Sequence, residues 1–117
     1  MSDFLSRMKT AAKADKKTIV LPEGEDPRTL EAARKVIAED LAELVILGNP
    51  DAIDVKGATV IDPRSSERRE GYAAKFAELR AKKGVTLPEA REQMGDATYF
   101  GTMMVKMGDA DGLVSGA

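Results

Sequence analysis

The sequence predicts an α/β fold: a mainly parallel sheet with helices on its faces, part of a three-layer α/β/α domain. Three observations carry that prediction. Apolar runs rich in β-branched residues recur at 18–21, 43–47 and 58–61, the composition of strands buried on both faces. The first run leads through a glycine-containing loop into a helix-start signal, the first half of a βαβ unit. The stretch 96–117 reads as a capped helix, a glycine turn and one more buried strand.

Taken in order, residues 3–14 pattern as a short amphipathic helix, with Phe4, Leu5, Met8, Ala11 and Ala12 on one side and Ser2 as its cap. The first strand, 18–21, ends at Pro22. Asp26 followed by Pro27 is an N-cap and an N1 proline, so a helix runs from there to about Asp40, with Leu30, Ala33, Val36 and Ile37 facing inward. Gly48, Asn49 and Pro50 close the second strand, and Asp62 and Pro63 close the third. Residues 51–57 have room for one helical turn. Ser65 or Ser66 caps the longest helix, which ends near Lys83 and is stopped by Gly84, with Tyr72, Phe76 and Leu79 on its inner face. Thr86 and Glu89 have capping-box spacing and start a short helix to about Met94. Asp96 caps the next helix, whose inner face is Phe100, Met103, Met104 and Met107, and Gly108 is its C′ residue. Residues 112–114 form the last strand.

Composition bounds the chemistry. At 117 residues the chain has the length of one small domain. Hydrophobic residues make up 43% and charged residues 32%, as in a soluble globular protein, and aromatics only 4%, so the core rests on Leu, Ile, Val, Met and Ala. A net charge of -2 with interleaved signs gives no footprint for nucleic acid or an anionic membrane. With no Cys and no His, disulfides, Cys/His zinc sites and catalysis by a thiol or imidazole of this chain are excluded. No apolar run approaches the roughly 18 residues of a membrane span, and the N-terminus lacks an apolar signal core, so a cytoplasmic location is expected.

Several stretches carry possible chemistry. The strand ending in Ser115, Gly116 and Ala117 has no bulky side chain at its tip, and ligands in open α/β sheets gather at the carboxyl ends of strands. The loop containing Glu23, Gly24, Glu25 and Asp26 offers a phosphate a helix N-terminus but also three carboxylates. It lacks both the dinucleotide glycine fingerprint and the P-loop, which disfavours a nucleotide-binding domain and favours a capped strand–helix turn. Asp109, Asp111 and Gly112 suggest a calcium loop, but most of its ligands are missing. Met103, Met104 and Met107 read as core filling, and Thr102 and Lys106 fall off that face. Arg80, Lys82 and Lys83 lie in the last turn of the long helix, where the dipole favours cations by ~0.3–1 kcal/mol each. Pattern alone favours that solvated role for Arg80, although Arg is also the side chain best matched to a phosphoryl group.

Three stretches resemble the phosphate acetyltransferase (phosphotransacetylase) family: Ile19-Val-Leu-Pro-Glu-Gly-Glu-Asp-Pro-Arg-Thr-Leu-Glu-Ala-Ala33, Phe76-Ala-Glu-Leu-Arg-Ala-Lys-Lys-Gly-Val-Thr-Leu-Pro-Glu-Ala90 and the closing segment from Tyr99 to Ala117. They stand in the right order and, with the connecting strands, cover nearly all of the chain after the first helix. The resemblance extends to phosphate butyryltransferases and to the C-terminal part of large malic enzymes. It implies an isocitrate/isopropylmalate dehydrogenase-like first domain, a second domain across an active-site cleft, and a homodimer. It also implies reversible acetyl transfer between acetyl phosphate and coenzyme A, with both as substrates and no metal or further cofactor. The coenzyme A thiol is itself the nucleophile, which suits a chain without His or Cys.

By the same resemblance Arg80 matches an active-site arginine, reversing the reading from pattern, and acts as a charge clamp on the phosphoryl group or on a phosphate of coenzyme A. Ser115 and Gly116 line the cleft. Family members run to roughly two to three times this length, as two domains require. Residues 1–117 therefore read as the N-terminal part of the family's domain, without its serine–aspartate pair or its second domain, and inactive alone. The rival readings are a non-catalytic α/β module that binds a phosphorylated ligand or a partner subunit, and the acetyltransferase-like domain of a malic enzyme.

Overall fold

The computed structural model describes residues 17–115. The helix expected over residues 3–14, and Gly116, lie outside the described residues. Four strands, β1 (Lys17–Leu21), β2 (Ala42–Leu47), β3 (Thr59–Ile61) and β4 (Gly112–Leu113), form one parallel sheet in the order β3-β2-β1-β4. The helices are α1 (Pro27–Ala38), α2 (Arg69–Leu79), α3 (Leu87–Gln93) and α4 (Ala97–Lys106), with a 3-10 turn at Ala81–Lys83.

The strand residues alternate between two cores. Ile19 and Leu21 of β1, with Ala42, Leu44 and Ile46 of β2, pack against Ala32, Ala33 and Val36 of α1. Val20, Val45 and Leu47 point the other way, into a cluster built by Tyr72, Phe76, Met94, Phe100, Met103 and Met104 from α2 to α4. Both faces of the central strands are covered, so Ile19 to Leu21 of β1 and Leu44 to Leu47 of β2 are apolar without alternation, and the three-layer expectation holds. From β1 the chain steps outward to β2 and β3 on one face. It then returns along the other face to lay β4 on the far side of β1. Steps of opposite direction on opposite faces are what a uniform right-handed crossover demands. The order reverses between β1 and β4, which makes that junction the topological switch point.

Local signals account for most element starts. The Asp26 carboxylate accepts from the Arg28 amide at 2.9 Å, and Pro27 opens α1. The Thr86–Glu89 capping box forms in full. Asp96 accepts from the Thr98 and Tyr99 amides, and Gly108 takes φ 80° just past the end of α4. The α1 face expected to point inward does so, with Ala33 and Val36 buried and Leu30 and Ile37 packed against the same cluster, and Thr29 and Ala32 complete it. Three expectations are corrected. α2 starts at Arg69 rather than after Ser65 or Ser66. The Ser66 hydroxyl accepts from the Arg68 amide at 3.2 Å, closing a turn before the helix instead of capping it. Leu79 (46% exposed) and Met107 (45% exposed) lie outside the core, because each stands where its helix ends and no longer covers the sheet.

Two buried polar groups bear on stability. Among the described residues, the Thr29 hydroxyl is buried without a hydrogen-bond partner. Such a group costs about 1–3 kcal/mol relative to a satisfied one. Thr29→Val keeps the shape and removes the hydroxyl, so it is expected to raise the unfolding free energy by roughly 1 kcal/mol in urea denaturation.

The Tyr72 hydroxyl, by contrast, donates to the Asp109 carboxylate, tying α2 to the approach to β4. Burial, reinforced by that carboxylate, pushes the phenol up to about 12 from its ordinary 10.0. The folded chain thus holds the proton more tightly than the unfolded one. The stabilisation is complete below pH ~10 and is lost as pH climbs through ~12. Relative to Tyr72→Phe, which cannot titrate, the wild type is expected to lose roughly 2 kcal/mol over that window in unfolding curves at stepped pH.

Candidate active site

Parallel strands end on one side of the sheet, and the loops that follow them converge there. Glu23, Gly24 and Asp26 after β1, Asn49 after β2, Asp62 and Arg64 after β3, and the Asp96 turn before α4 line an open cleft of about 620 Å3. Gly24 fixes how tightly the first loop sits. A Cβ there would lie 2.4 Å from the Leu47 carbonyl oxygen and 2.8 Å from Ile53 Cδ1, so only glycine lets the loop lie against the end of β2. The Asp26 amide donates back to the Glu23 carbonyl at 3.1 Å.

The carboxylates of this cleft are largely engaged in building it. Asp26, Asp62 and Asp96 each accept from a backbone amide two residues on. The Arg28 guanidinium, together with the Arg28 amide, holds the Asp26 carboxyl below its ordinary range. Reading the acidic loop as a capped turn accounts for Asp26. Glu23 has a different partner: its Oε1 accepts from Ser115 Oγ at 2.7 Å. The Val114 amide continues the β1–β4 ladder by donating to the Val20 carbonyl at 3.0 Å, which places Ser115 beside the loop after β1. Ser115 therefore stands at the switch point, at the strand end where the sequence put it.

Arg80 does not join it. The residue caps the C-terminus of α2, exposed, on a second cleft of about 240 Å3 in the outer helical layer, shared with Phe76, Lys83, Glu89 and Tyr99. Its guanidinium lies 5.5 Å from the Phe76 ring centroid, and that ring meets Tyr99 edge-on at 5.7 Å. The two clefts flank the first turn of α4, one reaching Asp96 and the other Tyr99. Sequence reasoning did not single out Glu23, Asn49 or Arg64 individually. All three come within three residues after a strand end, the signal that could have found them. Among the described residues no group of three or more acidic side chains converges on a metal-sized site. No helix among them is long and apolar enough to cross a membrane.

A parallel sheet with helices on both faces and a cleft at the carboxyl ends of β1, β2 and β3 is an α/β domain of the kind in which ligands gather at strand ends. The family model for phosphate acetyl/butaryl transferase matches residues 3–117, and the chain belongs to that family. It is 55% identical over 113 residues to the phosphate acetyltransferase of Thermoanaerobacterium thermosaccharolyticum, a match covering 91% of this chain and 34% of that protein. Against the Corynebacterium glutamicum phosphate acetyltransferase the identity is 47% over 115 residues, covering 91% of this chain and 35% of the relative. The fold is similar to EutD phosphotransacetylase from Staphylococcus aureus, with a TM-score of 0.82 and 36% identity over 98% of this chain and 37% of that one. A phosphotransacetylase from Streptococcus pyogenes gives a TM-score of 0.83 and 32% identity, covering 100% and 38% respectively. The chain thus spans about a third of the length of these relatives.

Proposed function

We propose that the parent protein is a phosphate acetyltransferase, interconverting acetyl-CoA and phosphate with acetyl phosphate and coenzyme A, and that residues 1–117 are the N-terminal part of its domain. The observation that carries this reading is an open strand-end cleft in a chain 55% identical to a phosphate acetyltransferase. In the direction of acetyl-CoA formation the coenzyme A thiolate attacks the acetyl carbonyl, the thioester C–S bond forms, and the C–O bond to phosphate breaks. The thiol proton passes to a base and phosphate leaves. A chain without Cys or His suits this chemistry, because the substrate brings the nucleophile.

The protein's part is to position both substrates and neutralise the leaving phosphate. Arg80 supplies a permanent charge with fixed donors for a phosphoryl group or a phosphate of coenzyme A. Ser115 and Gly116 take substrate-binding roles by the family resemblance. The base and the opposing cleft wall come from the remaining two thirds, and the working form is a cytoplasmic homodimer that uses no metal or further cofactor. The reading is tested by following acetyl-CoA formation from acetyl phosphate and coenzyme A. Turnover is expected from the full-length protein, and from this chain only when the separately made remainder is added. A full-length protein without turnover would overturn the assignment.

A further inference from the structure

The contact between Ser115 and Glu23 joins the end of β4 to a residue that lines the cleft. A hydroxyl has one proton to donate and two lone pairs to accept with. At 2.7 Å from a carboxylate oxygen, the Ser115 proton is committed to Glu23. What remains is an acceptor, so the side chain is matched to an N–H or S–H donor rather than to phosphate oxygens, which are acceptors themselves. The carboxylate is launched from a stiff loop. The Asp26 amide returns to the Glu23 carbonyl, and Gly24 is wedged against the Leu47 carbonyl with no room for a Cβ. The bond spans 92 residues of sequence and closes the junction of β1 and β4, at the switch point where ligands of this sheet architecture bind.

We propose that Glu23 is a positioning residue, holding the Ser115 hydroxyl as an oriented acceptor for the amide or thiol hydrogens of the pantetheine arm of coenzyme A. The inference rests on the acetyltransferase reading above, and assigns this end of the cleft to the thiol-bearing substrate rather than to acetyl phosphate. Glutamine keeps an acceptor oxygen at the same reach; alanine does not.

In the full-length protein, Glu23→Ala is expected to raise KM for coenzyme A on the order of tenfold, with KM for acetyl phosphate moving less than about twofold. Glu23→Gln should stay within about threefold of wild type, because a neutral acceptor serves the same bond. In a Ser115→Ala background, Glu23→Ala should add almost nothing, since the partner through which it acts is gone. The inference is overturned if glutamine is as damaging as alanine, if the two alanine effects multiply, or if KM for acetyl phosphate rises instead. Calorimetric titration of the same variants with coenzyme A separates this outcome from failure of the functional reading. Coupled losses of binding in a protein that turns over no acetyl phosphate would support the positioning role and overturn the acetyltransferase reading alone.

Discussion

Arg80→Ala in the full-length protein is expected to lower kcat/KM for acetyl-CoA formation by roughly 10²–10³-fold, the loss typical of removing one preorganised charge stabiliser. The folded chain itself is expected to notice little. The side chain is exposed, and its guanidinium rests over the face of Phe76, 5.5 Å from the ring centroid. An exposed cation–π pair of this kind contributes about 0.5–1 kcal/mol. An arginine placed at a helix C-terminus for the dipole alone would give a loss of similar size in stability and none in activity. The two roles therefore separate cleanly in a paired measurement of turnover and unfolding. Arg80→Lys should fall between, keeping the charge but not the planar fork. Wild-type activity in Arg80→Ala would remove Arg80 from the site.

Which parts of the fold were legible depends on how local their causes are. The strand β1, the start of α1, the box at Thr86 and Glu89 and the cap of α4 each rest on neighbours a few residues apart, and each lies where the pattern placed it. The start of α2 was misread because a serine before a helix can close a turn as well as cap, and the Ser66 hydroxyl does the former. Leu79 and Met107 continue a period of 3.6 to the last turn, but periodicity does not show where a helix stops overlying a sheet. The position of Ser115 just past the end of β4 was readable from the pattern of the closing strand. Its partner was not, since nothing local joins two residues 92 apart. Arg80 was reached only through family resemblance. The structure sets it across the first turn of α4 from the strand-end cleft, so a reaction that uses both needs a substrate long enough to pass from one to the other.

Phe100→Ala is expected to cost the fold about 3–5 kcal/mol, well beyond the stability effect of Arg80→Ala. Phe100 is 0% exposed and stands at the centre of the outer core, its ring 5.0 Å from that of Tyr72 in an edge-to-face pair. The loss has two parts: the transfer free energy of the ring, and a cavity that its neighbours cannot easily collapse into. Collapse is blocked on the sheet side by the closeness of α4. At Gly101, the next residue, an added Cβ would lie only 2.7 Å from Leu113 Cδ1 and 3.2 Å from Val20 Cγ1, so the helix has no slack to move inward. Phe100→Leu retains much of the volume and should cost less than half as much. For a domain whose whole stability is of the order of 5–15 kcal/mol, the alanine variant should move the urea midpoint sharply with an unchanged slope. A shift of under about 1 kcal/mol would mean that the outer layer of α2 to α4 packs more loosely on the sheet than this geometry requires.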